Sequence, residues 1–303
     1  MNFYKKIIRN SKTRFKLLDF LEFVPDSIMI KIQYRIKTGN NLNLKEPKRY
    51  TEKIQWYKLY YHDPRITQCS DKYVVRTFVK NKGLGTYLNE LYAVYDCVQD
   101  IDFKKLPNSF AIKMTTGSGT NIFVSDKCKI NEDNIRVKLN EWMYRNKKSY
   151  GREWGYYNCK RRIIIEKLID RDRNNDIPDY KFFCFNGDVY CLYTMIDYTD
   201  NHENGKLGFF DKNFKQLPFR RADYGKINRH IPKPVNFDKM VRIAEVLSKG
   251  FPHVRVDLYN IEGQIIFGEM TFYNASGYTK FIPDDYDYIL GKQFVLPSCR
   301  CSK

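Results

Sequence analysis

Apolar and polar positions alternate most cleanly toward the end of the chain. From His253 to Gly277 the sequence reads HVRVDLYNIEGQIIFGEMTFYNASG. Val254, Val256 and Leu258 alternate with Arg255, Asp257 and Tyr259, the period of a half-buried strand. Asn260 to Gly263 carries turn chemistry, and Gln264 to Phe272 is a second β-rich run. A three-residue turn with Gly263 in the left-handed position would join the two runs by an odd-length loop. Alternate side chains of a strand share a face, so Arg255, Asp257, Glu269 and Thr271 are expected to converge. Two buried acids without a counter-ion repel, and one takes up a proton. A Mg²⁺ on a nucleotide phosphate removes that conflict, because hard oxygen ligands hold it and phosphate completes its shell. Arg255 could then contact the transferring phosphoryl group. The plain alternative is a wet hairpin face on which Arg255 pairs with an acid.

The same reading extends along the chain. Residues 1–62 read as helices, with Thr51 capping one that carries Ile54, Tyr57 and Tyr61 on one side. Ser70 is expected to cap the helix in DKYVVRTFVKNKG, which buries Val74, Val75, Phe78 and Val79 and ends at Gly83 and Gly85. Lys72 and Arg76, four apart, share another face, suited to an anion or simply solvated. PNSFAIKMTTGSGTNIFV reads as two strands around a glycine-rich tip, Thr115 to Asn121, able to fold N–H groups over phosphates. Lys113 sits just before that tip. It is not a Walker loop, since GxxxxGK[ST] is absent. Residues 131–160 are helical and charged, with Trp142 and Met143 as core anchors. RRIIIEKLID is a buried strand ending at Glu166, after which exposed backbone can read an adenine edge; a salt-bridged Glu166 is the alternative. DYKFFCFNGDVYCLYTMID is a hairpin around the type I′ pair Asn186-Gly187, with Lys181 on its first strand. Residues 200–234 are polar and loop-rich, with a short hairpin at GFFDKNF, and are expected to be mobile or substrate-facing. Met240, Ile243, Ala244 and Leu247 repeat as one helix face. SGYTKFIPDDYDYILGKQFVLP reads as a loop and a short final helix.

Composition narrows the class. A chain of 303 residues with 43% hydrophobic and 16% aromatic content can bury a sizeable core. Lys and Arg number 53 against 35 acids, a net charge of +18, which implies an anionic partner without choosing one. The eight cysteines include no CxxC pair, and only four histidines are present, which disfavours zinc. Cys184 and others inside apolar runs read as reduced core thiols, while Cys299 and Cys301 fall in a polar tail. No apolar run is long enough to span a bilayer. The start, MNFYKKIIRNSKTRFKLLDFLEFVPDS, is basic and amphipathic. Residues 1–30 therefore lie on an anionic membrane surface or pack on their own protein.

Six stretches, EKIQWYKLY, DKYVVR, LPNSFAIKMTTGSGTN, RIIIEKLI, DYKFFCFNG and VRVDLY…FGEMTFYNASG, stand in one order across residues 47–297. In that order the chain resembles the ATP-grasp superfamily, and within it the TupA-like branch of bacterial surface-polysaccharide and teichuronopeptide biosynthesis. The resemblance implies an α+β fold of two lobes clamping ATP between antiparallel sheets. It divides the chain into a helical N-terminal extension (1–62), an N-terminal lobe with the phosphate loop (63–168), a C-terminal lobe with the metal site (169–297) and a tail (298–303). Carried over by position, it implies ATP on Lys72, Lys113, the loop Thr116, Gly117, Ser118, Gly119 and Asn121, and an adenine hinge of Glu166, Lys167, Leu168 and Ile169. It implies Mg²⁺ on Asp257 and Glu269, with Arg255, Lys181 and Arg76 at the reacting phosphate or acidic substrate. Many members carry Glu-x-Asn at the metal site. Here Thr271 stands in the third position, a poorer oxygen donor, for which Asn274 or water would substitute.

The implied activity is a cytosolic, ATP-dependent ligase that forms an amide through an acylphosphate during capsular or other surface-glycan biosynthesis. Its implied partners are a uronic acid or amino-acid carboxylate, an amine, and a glycan precursor at the inner membrane face. A kinase or glycosyltransferase acting on the glycan is the rival within enzymes; a catalytically silent ATP-binding relic is another reading, prompted by Thr271. Nucleic-acid binding is disfavoured, because the basic residues are spread along the chain rather than set in a recognised motif.

Overall fold

The computed structural model describes residues 11–144, 150–197 and 205–298. The first ten residues of the expected N-terminal helices, residues 200–204 of the polar segment, and Cys299 and Cys301 lie outside them. Among the described residues five α-helices lead: α1 (Ser11–Phe20), α2 (Asp26–Thr38), α3 (Tyr50–Tyr60), α4 (Pro64–Ser70) and α5 (Val75–Asn81). A small sheet follows, from β1 (Leu91–Tyr95), β2 (Phe110–Met114), β3 (Asn121–Val124) and β4 (Ile163–Glu166), with α6 (Glu132–Met143) inserted before β4. Its spatial order is β1-β4-β2-β3, and every pairing is antiparallel. Placing β4 inside the sheet explains the unbroken run Ile163, Ile164, Ile165, all fully buried.

The larger sheet contains β5 (Asp179–Phe185), β6 (Asp188–Ile196), β7 (Lys206–Asp211), β9 (Gly225–Lys226), β10 (His253–Ile261) and β11 (Gln264–Thr271), in the order β11-β10-β5-β6-β7-β9. A separate ribbon pairs β8 (Arg220–Arg221) with β12 (Phe281–Ile282). Helix α7 (Phe237–Ser248) buries Phe237, Met240, Ile243, Ala244 and Leu247, the face its spacing predicts, and Phe237 packs on Phe182 of β5. Helix α8 (Asp285–Gln293) closes the chain.

Each sheet has its own apolar core. Phe103, Phe110, Ile112, Leu139, Ile163 and Ile165 belong to the smaller. Tyr50, Tyr57, Phe182, Phe183, Val254 and Val256 belong to the larger. Residues 63–81, expected with the first lobe, join the larger core through Ile66, Cys69, Val75 and Val79. In α6 the buried residues are Ile135 and Leu139, while the expected anchors Trp142 and Met143 pack at the edge. Cys69, Cys184 and Cys191 are buried free thiols, but Cys97 and Cys128 are exposed.

Several local expectations give way to tertiary structure. Thr51 does not cap α3. The Glu52 carboxylate accepts from the Arg49 N–H at 3.0 Å, and the Thr51 hydroxyl donates to Asp287 of α8 at 2.7 Å. Ser70 is the last residue of α4, and Asp71 holds the following turn by accepting from Tyr73 N–H (2.8 Å) and Val74 N–H (3.0 Å). Helix α5 therefore starts at Val75, and Lys72 falls outside it. The pair Asn186-Gly187 forms the expected turn, with φ of 52° and 94°. Among the described residues no helix is long and apolar enough to cross a membrane.

Candidate functional site

The site grows from the register of three adjacent strands. Asp257 on β10 stands opposite Lys181 of β5 on one side and Glu269 of β11 on the other. Arg255, two residues earlier, stands opposite Thr271. Side chains alternate, so Val254, Val256 and Leu258 go to the core, each fully buried. The polar residues gather on the other face.

The convergence expected from the sequence is present, but its cause differs. The turn has two residues, Glu262 and Gly263, with φ of 50° and 96°, so Ile261 pairs with Gln264. An even-length loop alone would set odd positions of one strand against even positions of the other. A β-bulge between Asp257 and Leu258 restores the pairing: Leu258 meets Phe267, Asp257 meets Glu269, and Gly268 is the extra residue. Only a glycine fits easily there, since an added Cβ would stand 3.0 Å from the Asp257 carbonyl oxygen.

Arg255 is the hub of the face. Its Nε and Nη2 donate to the two carboxylate oxygens of Asp257, each at 2.7 Å. Nη2 also reaches Glu269 Oε1 at 3.2 Å and Thr271 Oγ1 at 3.0 Å. Nη1 donates to Asn274 Oδ1 and to the Tyr193 hydroxyl, the latter at 3.4 Å. Asn274 was expected as a substitute metal ligand. It is buried, with its oxygen on Arg255, so it anchors the guanidinium instead. Thr271 donates its hydroxyl to Glu269 Oε1 at 3.0 Å, so it too orients a carboxylate.

Lys181 lies between Asp257, at 2.7 Å, and Asp179, with which it also forms an ion pair. Asp179 was missed in the sequence. The signal was present, since an acid two positions before Lys181 on one strand must share its face. Burial would lower the Lys181 ammonium, but the flanking acids Asp179 and Asp257 raise it well above its ordinary value. Burial would raise the Glu269 carboxyl, yet Lys72, Arg255 and Lys181 together hold it down at about 2.

The small sheet brings its glycine-rich tip to the same place. Gly117 and Gly119 have φ of 82° and 72°, and the turn from Gly117 to Gly119 is exposed. Lys72 ties it down, donating backbone N–H to Thr115 O (2.8 Å) and Nζ to Gly117 O (2.7 Å). The same ammonium stands 3.9 Å from Glu269 Oε2. One lysine therefore spans the tip of one sheet and the acid pair of the other.

Lys113 and Arg76 meet on one acid of the small sheet, close enough for Lys113 and Glu166 to act on Lys72. Both pair with Glu166, at 2.9 Å and 3.1 Å, and Arg76 also donates to Asn89 O at 2.7 Å. The expected common face of Lys72 and Arg76 does not form, because the two precede and follow the start of α5 and turn to different partners. Of the expected hinge, Lys167 has both backbone groups engaged, its N–H by Glu90 O (2.9 Å) and its C=O by the Asn89 amide (2.8 Å). Leu168 and Ile169 follow it, half-buried, in the loop after β4.

The donor chemistry fits a nucleotide-borne Mg²⁺. Asp257 and Glu269 offer hard oxygens side by side. Among the described residues no group of three or more His, Cys, Asp or Glu is arranged to hold a metal alone. A cation here would take the rest of its shell from phosphate and water, and Lys72, Lys181 and Arg255 supply the surrounding positive charge.

A match to one family model over most of the sequence defines an ATP-grasp protein. The family model TupA-like ATPgrasp covers residues 52–295, and the chain belongs to that family. No curated protein matches it. Among solved structures it is similar to D-alanine–D-alanine ligase from Bacillus anthracis at 14% identity, over 68% of this chain and 57% of that one, with a TM-score of 0.38. D-cycloserine synthetase DcsG is similar at 13% identity, over 76% and 70%, with a TM-score of 0.42. The ATP-grasp ligase PsnB, complexed with a phosphomimetic precursor variant, Mg and ADP, is similar at 11% identity, over 78% and 62%, with a TM-score of 0.42. The chain spans under two thirds of the length of the first of these, at 57%.

Proposed function

We propose that the chain is an ATP-dependent ligase that joins a carboxylate to an amine. The observation that carries this reading is the meeting, across Lys72, of the glycine-rich tip with the Asp257–Glu269 pair. Phosphoryl transfer needs little covalent help from a protein, and it is accelerated by positioning and by charge placed where charge develops. Lys72 and Lys113 would hold phosphate oxygens, and the N–H groups of Thr116 to Asn121 would cover them. Leu168 and Ile169 would meet the adenine. Asp257 and Glu269 would hold Mg²⁺, which when bound neutralises phosphate charge. Arg255, moved off Asp257, would face the transferring group, with Lys181 holding the Asp257 carboxylate in place. The substrate carboxylate would attack the terminal phosphorus with loss of ADP, and the amine would then displace phosphate to leave an amide. No cysteine, serine or histidine nucleophile is required.

The substrate class we favour is a uronic acid or amino acid used in building a capsular or other surface polysaccharide at the inner face of the plasma membrane. The family to which the chain belongs and its net charge of +18 support an acidic substrate. The test is ADP release by the purified chain with Mg²⁺, ATP and a panel of uronic acids, amino acids and amines, with mass analysis of products. Release should need both an acid and an amine. Asp257→Asn, Glu269→Gln and Lys113→Ala should each lower it by about a hundredfold or more. Unchanged release in all three variants would overturn the assignment, and consumption of a nucleotide sugar without ADP would favour a glycosyltransferase.

A further inference from the structure

Exposed apolar side chains are concentrated in one region. Of sixteen large apolar side chains exposed among the described residues, six (Leu17, Phe20, Phe23, Ile28, Ile32 and Ile36) lie in the N-terminal helices and the turn between them. Helix α2 is two-sided. Met29, Ile30, Gln33 and Tyr34 are buried, while Ile28, Ile32 and Ile36 are 50%, 47% and 44% exposed. Residues four apart stack on one side of a helix, so the three isoleucines form a stripe about 12 Å long. Lys31 and Arg35 are also exposed, each three positions after an isoleucine of the stripe, and make a basic row along its flank. Before α2, the rings of Phe20 and Phe23 meet edge to face at 6.1 Å and are 74% and 75% exposed.

This unit is fixed from behind. Buried Arg152 donates to Leu21 O (2.8 Å), Val24 O (3.0 Å) and Asp26 Oδ1 (2.8 Å). The Tyr157 hydroxyl donates to Asp26 Oδ2 at 2.7 Å. These bonds engage Asp26, the one acid of α2, so the charges left on that helix are basic, with Asp19 and Glu22 lying before it in the chain.

We propose that this face docks on an anionic lipid bilayer, with the isoleucine stripe and the two phenylalanines in the headgroup–acyl boundary and Lys31 and Arg35 on lipid phosphates. A helix with an apolar row beside a basic row lies in that interface by apolar burial plus charge attraction. A second copy of the chain is a poorer occupant, because a symmetric contact would set the two basic rows against each other. The inference deepens the membrane location given above, and it does not depend on the ligase chemistry.

The test is flotation of the full chain with vesicles of phosphatidylcholine alone or mixed with phosphatidylglycerol. Binding should be at least about tenfold tighter to the anionic vesicles and should weaken with added salt. Ile32→Ser with Phe23→Ser, and separately Lys31→Glu with Arg35→Glu, should each weaken it by about tenfold or more. Circular dichroism should match the parent chain, and ADP release without vesicles should be unchanged. Equal binding to neutral vesicles, no binding to anionic ones, or variants that bind like the parent would each overturn the proposal. So would a concentration-dependent dimer abolished by Ile32→Ser. Because lipid binding is read without turnover, its failure leaves the ligase reading standing, and loss of the ligase reading leaves this one.

Discussion

Lys72 donates its ammonium to the carbonyl oxygen of Gly117 across 2.7 Å, and this bond fixes where the glycine-rich tip lies. Removing it should free the tip without unfolding either core. Lys72→Met is expected to raise hydrogen exchange of the amides from 116 to 121 and to lower ADP release by about ten- to a hundredfold. Exchange mass spectrometry and the release assay check both halves. Unchanged exchange would show that the turn holds its own shape.

Gly268 is where the two-residue turn is reconciled with the pairing of Asp257 and Glu269. Alanine there would press a Cβ to 3.0 Å from Asp257 O and 3.2 Å from a Tyr259 ring carbon. Crowding of this kind costs about 1–3 kcal/mol. Gly268→Ala should therefore lower the urea midpoint and lower ADP release more than stability alone accounts for. A variant as active and as stable as the parent would show that the bulge yields freely.

Glu269 ties the site to pH. Its carboxyl sits at about 2 in the folded chain because Lys72, Arg255 and Lys181 outweigh the cost of burial. The unfolded value is near 4.3, so the contribution is fully present above about pH 4.5 and drains away as pH falls toward about 2. The side chain is 37% exposed, so solvent screens its ion pairs and the contribution is small. Urea titrations across that window should show a shallower acid loss in Glu269→Gln than in the parent.

Lys58 is buried in α3, in the field of the Glu153 carboxylate. It donates to Ser276 O (2.7 Å), Gly151 O (2.8 Å) and Gln55 Oε1 (3.1 Å). Those bonds pin the turn Asn274–Gly277, in which Ala275 and Ser276 adopt φ of 46° and 54°. Burial lowers its ammonium to about 7. Lys58→Met keeps the bulk but removes these charge-assisted hydrogen bonds, at about 1.5–3 kcal/mol. The urea midpoint should fall accordingly. ADP release under stabilising conditions should fall too, because Asn274 anchors Arg255. Loss of stability with full activity would confine Lys58 to the scaffold.

Strand periods carried most of what was legible in the chain. Val254, Val256 and Leu258 declared their strand, and Asn186-Gly187 its turn, because each signal is local. Lys113 was singled out by its glycine-rich neighbour, but its partner Glu166, which Arg76 shares, is distant in sequence and needed the sheet. The convergence of Arg255, Asp257, Glu269 and Thr271 was foreseen through a turn that does not exist, since nothing local distinguishes a longer loop from a short one plus a bulge at Gly268. Caps were misplaced for a similar reason: Ser70 and Asp71 can both cap a helix, and packing of α4 into the large core decides between them. Asn274 could be read as a metal ligand only while the position of Arg255 was unknown.

The fork from Arg255 to Asp257 has one more effect. On the proposed ligase reading the site carries its own counter-ion, and a bare divalent ion would have to evict a guanidinium to settle between the acids. A triphosphate that arrives with the ion offers that guanidinium a new anion, so the exchange becomes a trade of partners. Magnesium and nucleotide should therefore load together, each weak alone, and a cell rich in free magnesium but short of ATP would leave the cleft latched.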